Sequence, residues 1–368
     1  MTTTLRFHAP YMEWAKTRPA ARFDLAGSNI QACRIDEIPG VVEAIGFEGS
    51  NENGYEPLLE AIAARYGVDT AQVTTAQGAS GANFLACAAL LEAGDEVLVE
   101  TPGYDPLLGA PRLLGARVNR FAREFNDGFA LDPERVLHAM TPRTRLIIIT
   151  NPHNPSGVLA DPDALEAIGQ IARGHHAHVL LDEVYLDVAQ ASADGPGVVT
   201  DRTFARRSHV FVCTNSLTKS YGLSGLRCGW ILSSADVAER IRRARDVVDG
   251  TGSIVSERLA VQAFRNLDRL LKRATSLLET NRPIIQGFLR SRKDLAWAPS
   301  SGTVVFPRLR DTDDASSFAE RLLMERDTAI VPGRFFQAPA HVRIGFGGPT
   351  DALRGGLAAV GAALDRLQ

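Results

Sequence analysis

The sequence predicts an α/β protein: a mostly parallel, doubly wound sheet followed by a smaller α+β part at the C-terminus. Three observations carry this. Short β-rich runs alternate with helical patterns from residue 72 to residue 232. The runs are apolar along their length, as in Leu146-Ile147-Ile148-Ile149, which marks strands covered on both faces. From about residue 235 the alternation stops and long helical stretches take over.

The elements follow in order. Residues 5–30 show little regular pattern, but Pro10-Tyr11-Met12-Glu13-Trp14 opens a short amphipathic helix. A second helix begins in Gly54-Tyr55-Glu56-Pro57, where Pro57 suits a first turn and apolar positions 58, 59, 62 and 63 share a face. Strands are expected near 72–76, 96–99, 117–121, 145–150, 178–182, 209–214 and 228–232. Helices are expected at 81–92, 105–114, 132–140 and 162–173. The helix at 162–173 has Asp161 as N-cap, Pro162 at its first position and Gly174 past its end. Ala191 to Gly197 reads as a flexible loop of small residues. Residues 235–249 and 254–297 read as helical, with a break or start at Arg282-Pro283. Residues 303–309 and 341–346 are strand-like, and 315–326 and 350–367 are helical.

In a doubly wound sheet, ligands bind beyond the carboxyl ends of the strands, and the unusual polar motifs fall there. Gln77-Gly78-Ala79-Ser80-Gly81-Ala82-Asn83 leads from a strand into a helix, whose free N–H groups make an anion site. Pro102-Gly103-Tyr104 follows the second strand. Asn151-Pro152-His153-Asn154-Pro155-Ser156-Gly157 follows the strand ending at Thr150, and its two X-Pro steps give a rigid turn that fixes Asn154. Asp182-Glu183-Val184-Tyr185 ends the strand from His178, and an acid there is costly unless paired, so a cationic partner is expected. The run His209 to Cys213 leads into Thr214-Asn215-Ser216-Leu217-Thr218-Lys219-Ser220-Tyr221, with Arg227 eight positions after Lys219. A lone lysine is most often a solvated surface charge, and an arginine within a strand is most often an edge residue.

The stretch around Lys219 resembles the cofactor-lysine segment of the pyridoxal-phosphate (PLP) enzymes of the class I/II aminotransferase family, whose pattern runs S-x-[ST]-K-x-x-x-[LM]-x-x-x-R-x-G. Ser216, Thr218, Lys219, Leu223, Arg227 and Gly229 meet it. Val331-Pro332-Gly333 and His341-Val342-Arg343-Ile344-Gly345-Phe346 resemble the family's C-terminal segments. The resemblance covers nearly the whole chain. It implies the fold type I PLP-transferase fold, with a large PLP-binding domain at 40–250 and a small domain of 1–39 plus 251–368. It implies Lys219 as the amine that forms an internal aldimine, Asp182 opposite the pyridine nitrogen, and Asn154 and Tyr185 as donors to the phenolic oxygen. It also implies Ala79, Ser80, Ser216 and Arg227 around the phosphate, and Tyr104 stacked on the ring. Arg343, Asn154 and Gly27 would face the substrate α-carboxylate, where an arginine binds bidentately. The N-terminal segment would cover the site.

The chain departs from the family in one place. Relatives carry a tyrosine before the helix-opening glycine that reaches the partner subunit's phosphate, and Gly49 stands there in this sequence. Ser256 is a candidate to reach that phosphate instead. Relatives specific for dicarboxylic substrates place an arginine near the start of the long linking helix. Here that region reads Asp246-Val247-Val248-Asp249-Gly250-Thr251-Gly252-Ser253, which favours a neutral or basic amino donor over aspartate.

Composition bounds the rest. The 368 residues, 45% hydrophobic and 23% charged, describe a soluble protein with a large core. A net charge of −3 points to neither nucleic acid nor membrane as a partner. The four cysteines show no disulfide or metal spacing, Met1 to Tyr11 holds no signal-peptide core, and a cytoplasmic protein is expected. The expected protein is a homodimeric transaminase of amino acid metabolism acting on an amino acid and a 2-oxo acid, with no metal. The rivals are a PLP-dependent lyase, cyclising synthase or oxidase with the same cofactor site, and a non-catalytic PLP-fold binding module. A dinucleotide oxidoreductase lacks its G-x-G-x-x-G here. A metal site at His175, His176 and His178 with Asp182 is disfavoured, because alternation along a strand splits the histidines between faces.

Overall fold

The computed structural model describes residues 8–193 and 202–366. Helix α1 (Pro10–Thr17) and the short strand β1 (Phe23–Asp24) precede α2 (Glu56–Tyr66). Then β2 (Val73–Gln77), α3 (Gly78–Leu90), β3 (Glu96–Thr101), α4 (Pro106–Leu113), β4 (Arg117–Ala122), α5 (Pro133–Ala139), β5 (Thr144–Thr150), α6 (Pro162–Gly174) and β6 (His178–Asp182) alternate. The run closes with α7 (Leu186–Ala193), β7 (Phe211–Ser216) and β8 (Cys228–Leu232). These seven strands form one sheet in the order β2-β8-β7-β6-β5-β3-β4, with only β8 running against the rest.

Burial on both faces explains the continuous apolar runs. Along β5, Ile147 and Ile149 enter one core with Leu98, Val179, Leu181 and Phe211. Leu146 and Ile148 enter the opposite core with Val97, Val99, Leu180 and Val212. The polar residues Thr150, Asp182 and Thr214 stand level with one another across three strands, at the carboxyl edge.

The rest of the chain is more helical. Helices α8 (Ala235–Val248), α9 (Ile254–Arg265) and α10 (Leu267–Ser291) lead into two-residue strands β9 (Leu295–Ala296), β10 (Val304–Val305) and β11 (Arg308–Leu309). Helix α11 (Ser316–Arg326), strands β12 (Thr328–Ala329), β13 (Val331–Pro332) and β14 (Val342–Gly345), and α12 (Thr350–Leu364) complete it. A separate core of Ile285, Leu289, Phe318, Ile344, Leu353 and Val360 holds this part together. Strand β1 joins it by pairing in parallel with β12.

Three expectations are corrected. Helix α6 includes Gly174, and the left-handed residue at its end is His176 (φ 55°), where the Ala177 N–H closes on Ala172 O at 2.8 Å. Pro283 does not break α10. It lies on an exposed side with Glu279, the residue whose carbonyl a proline at this position cannot serve as donor. Residues 191–193 end α7 and are no loop, while the remainder of the stretch to Gly197 lies outside the described residues. Among the described residues no helix is long and apolar enough to cross a membrane.

Candidate active site

The cradle at the start of α3 comes from glycine geometry. Gly78 has φ +70°, and a Cβ there would lie 2.5 Å from Arg227 Nη2. A Cβ on Gly229 would lie 2.4 Å from the Gly78 carbonyl carbon. Only glycine at both positions lets β8 and the turn close and brings the Arg227 guanidinium over the helix start. No side chain caps α3, so its first N–H groups, including those of Ala79 and Ser80, have no helical acceptor. A guanidinium and a helix N-terminus together favour a dianion.

These groups open onto one cavity of about 230 Å³ at the carboxyl edge of the sheet. Ala79, Ser80, Tyr104, Asn154, Asp182, Tyr185, Ser216, Lys219 and Arg227 all line it. Arg343 approaches from β14, donating through Nη1 to Asn154 Oδ1 (2.9 Å) and through Nη2 to Tyr11 Oη (2.7 Å) and Ala26 O (3.0 Å). Gly27 follows Ala26, is exposed, and faces open space where a Cβ would stand. Ser256 borders a smaller recess that it shares with Arg227 and Gln77.

Sequence reasoning missed several residues of the wall. Asn83 donates to Asp182 Oδ2 (2.9 Å) and accepts from the Thr214 hydroxyl (2.6 Å). It ends the glycine-rich motif, one helical turn after Ala79, so its spacing was the available signal. Ser28 and Asn29 receive Lys219 Nζ at 3.3 and 2.7 Å, and Ser28 also accepts from the Tyr185 hydroxyl at 2.9 Å. Tyr11 and Met12 of α1 line the cavity too, so the first helix does cover it.

The electrostatics separate the groups. Burial pushes the Lys219 amine below its ordinary pKa. Arg343 and Arg227 add to that, while Tyr11 and Asp182 oppose it. Burial raises the Asp182 carboxyl, and its hydrogen bonds from Asn83 and the Val184 N–H only partly offset this. The expected cationic partner is therefore corrected: among the described residues, Asp182 is bonded by neutral groups alone. The Tyr185 hydroxyl is pushed up to about 12, chiefly by burial. Burial also works to raise the Tyr11 hydroxyl, but Arg343 and Lys219 outweigh it and hold it below its usual value. Among the described residues no group of three or more His, Cys, Asp or Glu side chains is arranged to hold a metal ion.

Residues 48–360 match the family of class I and II aminotransferases. The chain belongs to this family. As a class I and II aminotransferase it is a PLP-dependent enzyme, and the site suits that cofactor. It offers a half-buried primary amine, a buried carboxylate with no cation bonded to it, and a helix N-terminus joined by an arginine. The aminotransferase is 31% identical to capreomycidine synthase of Streptomyces vinaceus, over 96% of this chain and 92% of that one. It is 28% identical to the arginine–pyruvate transaminase of Pseudomonas aeruginosa, over 79% of this chain and 76% of the relative. A solved PLP-dependent aminotransferase from Streptococcus suis shares its fold with a TM-score of 0.89 and 25% identity, over 100% of this chain and 99% of the other.

Proposed function

We propose that this aminotransferase moves an amino group between a neutral or basic L-amino acid and a 2-oxo acid, with Lys219 as the catalytic base. The observation that carries this reading is the half-buried Lys219 amine, held on Ser28 and Asn29 in a cavity that Asp182 also lines and behind whose Asn154 stands Arg343. PLP, when bound, supplies an aldehyde that condenses with amines and a ring that accepts an electron pair from the substrate α-carbon.

The chain's own residues do the rest. Ala79, Ser80, Ser216 and Arg227 would hold the cofactor's phosphate, and Tyr104 would pack on its ring. Asp182 would favour a protonated ring nitrogen, because a buried carboxylate gains most from an adjacent cation. Asn154 has its Oδ1 committed to Arg343, which leaves its amide N–H groups to donate to the phenolic oxygen together with Tyr185. Arg343 binds the α-carboxylate beside Gly27. Lys219, its amine pKa lowered by burial, takes the α-proton and returns it in the reverse half-reaction.

Two observations support the choice of donor. No arginine lies in 246–253, and Arg245 just before it is buried, donating to Thr75 Oγ1 (3.0 Å) and Glu52 O (2.6 Å). A distal carboxylate would find no free arginine there. The relationship to an arginine–pyruvate transaminase agrees with a basic donor. The 31% relative is a synthase, which favours one second reading: the same site used for elimination or cyclisation rather than exchange.

The apolar side chains Ile45, Phe47, Val247 and Val248 are exposed, which suits cover by a second copy of the chain, so a homodimer is proposed, and light scattering reads it directly. Cys87, Cys213 and Cys228 are free and buried, which suits a reducing cytoplasm.

The test is the visible spectrum of the PLP-loaded protein beside Lys219→Ala. The proposal expects a band that a neutral or basic amino acid bleaches and a 2-oxo acid restores, absent in the variant. Faster turnover with aspartate than with any neutral or basic amino acid contradicts the donor choice. A bleached band that no oxo acid restores, with ammonia or a cyclic product released, selects the second reading.

A further inference from the structure

The proposed chemistry leaves unused a buried ion pair behind the cavity wall. Glu100, near the end of β3, and Arg123, just past β4, are each 1% exposed, with Glu100 Oε2 3.0 Å from Arg123 Nη1. Arg123 Nε donates to Phe129 O at 2.8 Å. A buried pair of this kind is weak evidence for stability, since apolar residues of the same size often serve as well. The second oxygen of Glu100 points to a different role.

Glu100 Oε1 accepts from the Thr150 N–H (2.7 Å) and from the Thr150 hydroxyl (2.5 Å). An ionised carboxylate has no hydrogen to give. The Thr150 hydroxyl hydrogen is thereby directed at Glu100, and its lone pairs face the turn. There Thr150 Oγ1 accepts from the Asn154 backbone N–H at 2.8 Å, and the side-chain Oδ1 of the same residue accepts from Arg343 Nη1 at 2.9 Å. The intervening His153 is fixed as well. Its Nε2 must donate to the Pro102 carbonyl (2.9 Å), so its Nδ1 accepts from the Ser156 hydroxyl (2.7 Å), and burial keeps the ring neutral.

We propose that Glu100 and Thr150 are positioning residues for the α-carboxylate site: they anchor the Asn154 backbone at the place from which its side-chain Oδ1 reaches Arg343. This rests on the reading of Arg343 as the carboxylate anchor. Arg343 is 1% exposed and lies directly behind Tyr11 and Asn154 of the cavity wall, so its orientation depends on what receives it. Asn154 is the side chain of the large sheet's edge that does so.

The test compares Thr150→Val, which keeps the shape and removes the hydroxyl, with Thr150→Ser, which keeps the hydroxyl. Arg343→Lys serves as the control. Thr150→Val is expected to raise KM for both the amino donor and the oxo acid about tenfold, with a smaller change in kcat, as loss of one charge-linked hydrogen bond would do. Thr150→Ser should stay within about twofold of wild type, since the hydrogen bond is retained. A crystal structure of ligand-free Thr150→Val should show Asn154 Oδ1 turned off Arg343, a readout independent of turnover. Thr150→Ala replaces Thr150→Val if the latter fails to fold. The positioning role is overturned if Arg343→Lys raises KM while Thr150→Val keeps both the wild-type KM and the Asn154–Arg343 contact. A wild-type KM in Arg343→Lys refutes the carboxylate reading itself, and the relay loses its purpose with it.

Discussion

Strands β3 and β6 both bring a buried carboxylate to the carboxyl edge of the sheet, and the two acids are treated differently. Glu100 is answered within the chain, by Arg123 at 3.0 Å and by two donors from Thr150. Asp182 has the Asn83 amide at 2.9 Å, the Val184 N–H at 3.3 Å, and an open cavity in front of it. Burial pushes both carboxyls up. The difference teaches which charge belongs to the scaffold and which waits for a cation from outside. A buried charge already compensated is architecture, while one left to neutral partners beside a cavity marks a binding site.

The largest expected effect breaks the architectural half. Glu100→Gln leaves Arg123 buried without its counter-charge and should destabilise the ligand-free protein by about 3–5 kcal/mol. Chemical denaturation measures this, and wild-type stability would show that Arg123 finds another partner. Next comes the site half. Asp182→Asn should lower kcat about 10²–10³-fold, the usual loss for one preorganised electrostatic contact. It should leave the ligand-free protein about as stable as wild type, because burial already disfavours the charge it removes and offsets the pull of Lys219 on that charge.

Arg343 sits between the two cases, since Tyr11 Oη at 2.7 Å occupies a hydrogen that a substrate carboxylate would use. Tyr11→Phe should therefore lower KM for the amino donor, by about two- to tenfold for one hydrogen bond. A raised KM would mean that the hydroxyl stays to help bind the substrate.

The smallest effect is a pH slope. The folded Asp182 carboxyl titrates above its ordinary value of 3.8, so the native state holds the proton longer than the unfolded chain does. Stability of the ligand-free protein is then greatest below 3.8 for this group and falls as pH rises from there through the raised folded value. In Asp182→Asn this contribution to the slope should vanish, and denaturation at a series of pH values reads the difference.

The sequence made much of this legible, and for local reasons. All seven strands of the large sheet stand out as short β-rich runs, and the polar motifs stand where five of those runs end. Lys219, Asp182, Asn154 and Arg227 could be read from such motifs. What stayed hidden was contact between distant segments. The partner of Asp182 is 99 residues away, those of Lys219 lie about 190 away, and Tyr11 meets Arg343 across 332 positions. No local pattern encodes those pairings. The demand for a cation beside Asp182 was sound chemistry, but among the described residues the chain meets the acid with an amide and bonds no cation to it. The end of α6 was misplaced for a smaller reason: Gly174 looks like the stop, yet His176 takes the left-handed turn two residues on.

One measurement bears most directly on the contrast between the two acids: the rise in melting temperature when PLP is added to ligand-free wild type, Asp182→Asn and Glu100→Gln. A ligand stabilises in proportion to how tightly it binds the folded state. The account predicts a large rise in wild type, a much smaller one in Asp182→Asn, and in Glu100→Gln a rise like that of wild type from a lower starting temperature. An equal rise in wild type and Asp182→Asn would contradict it, because Asp182 would then gain nothing from the cofactor.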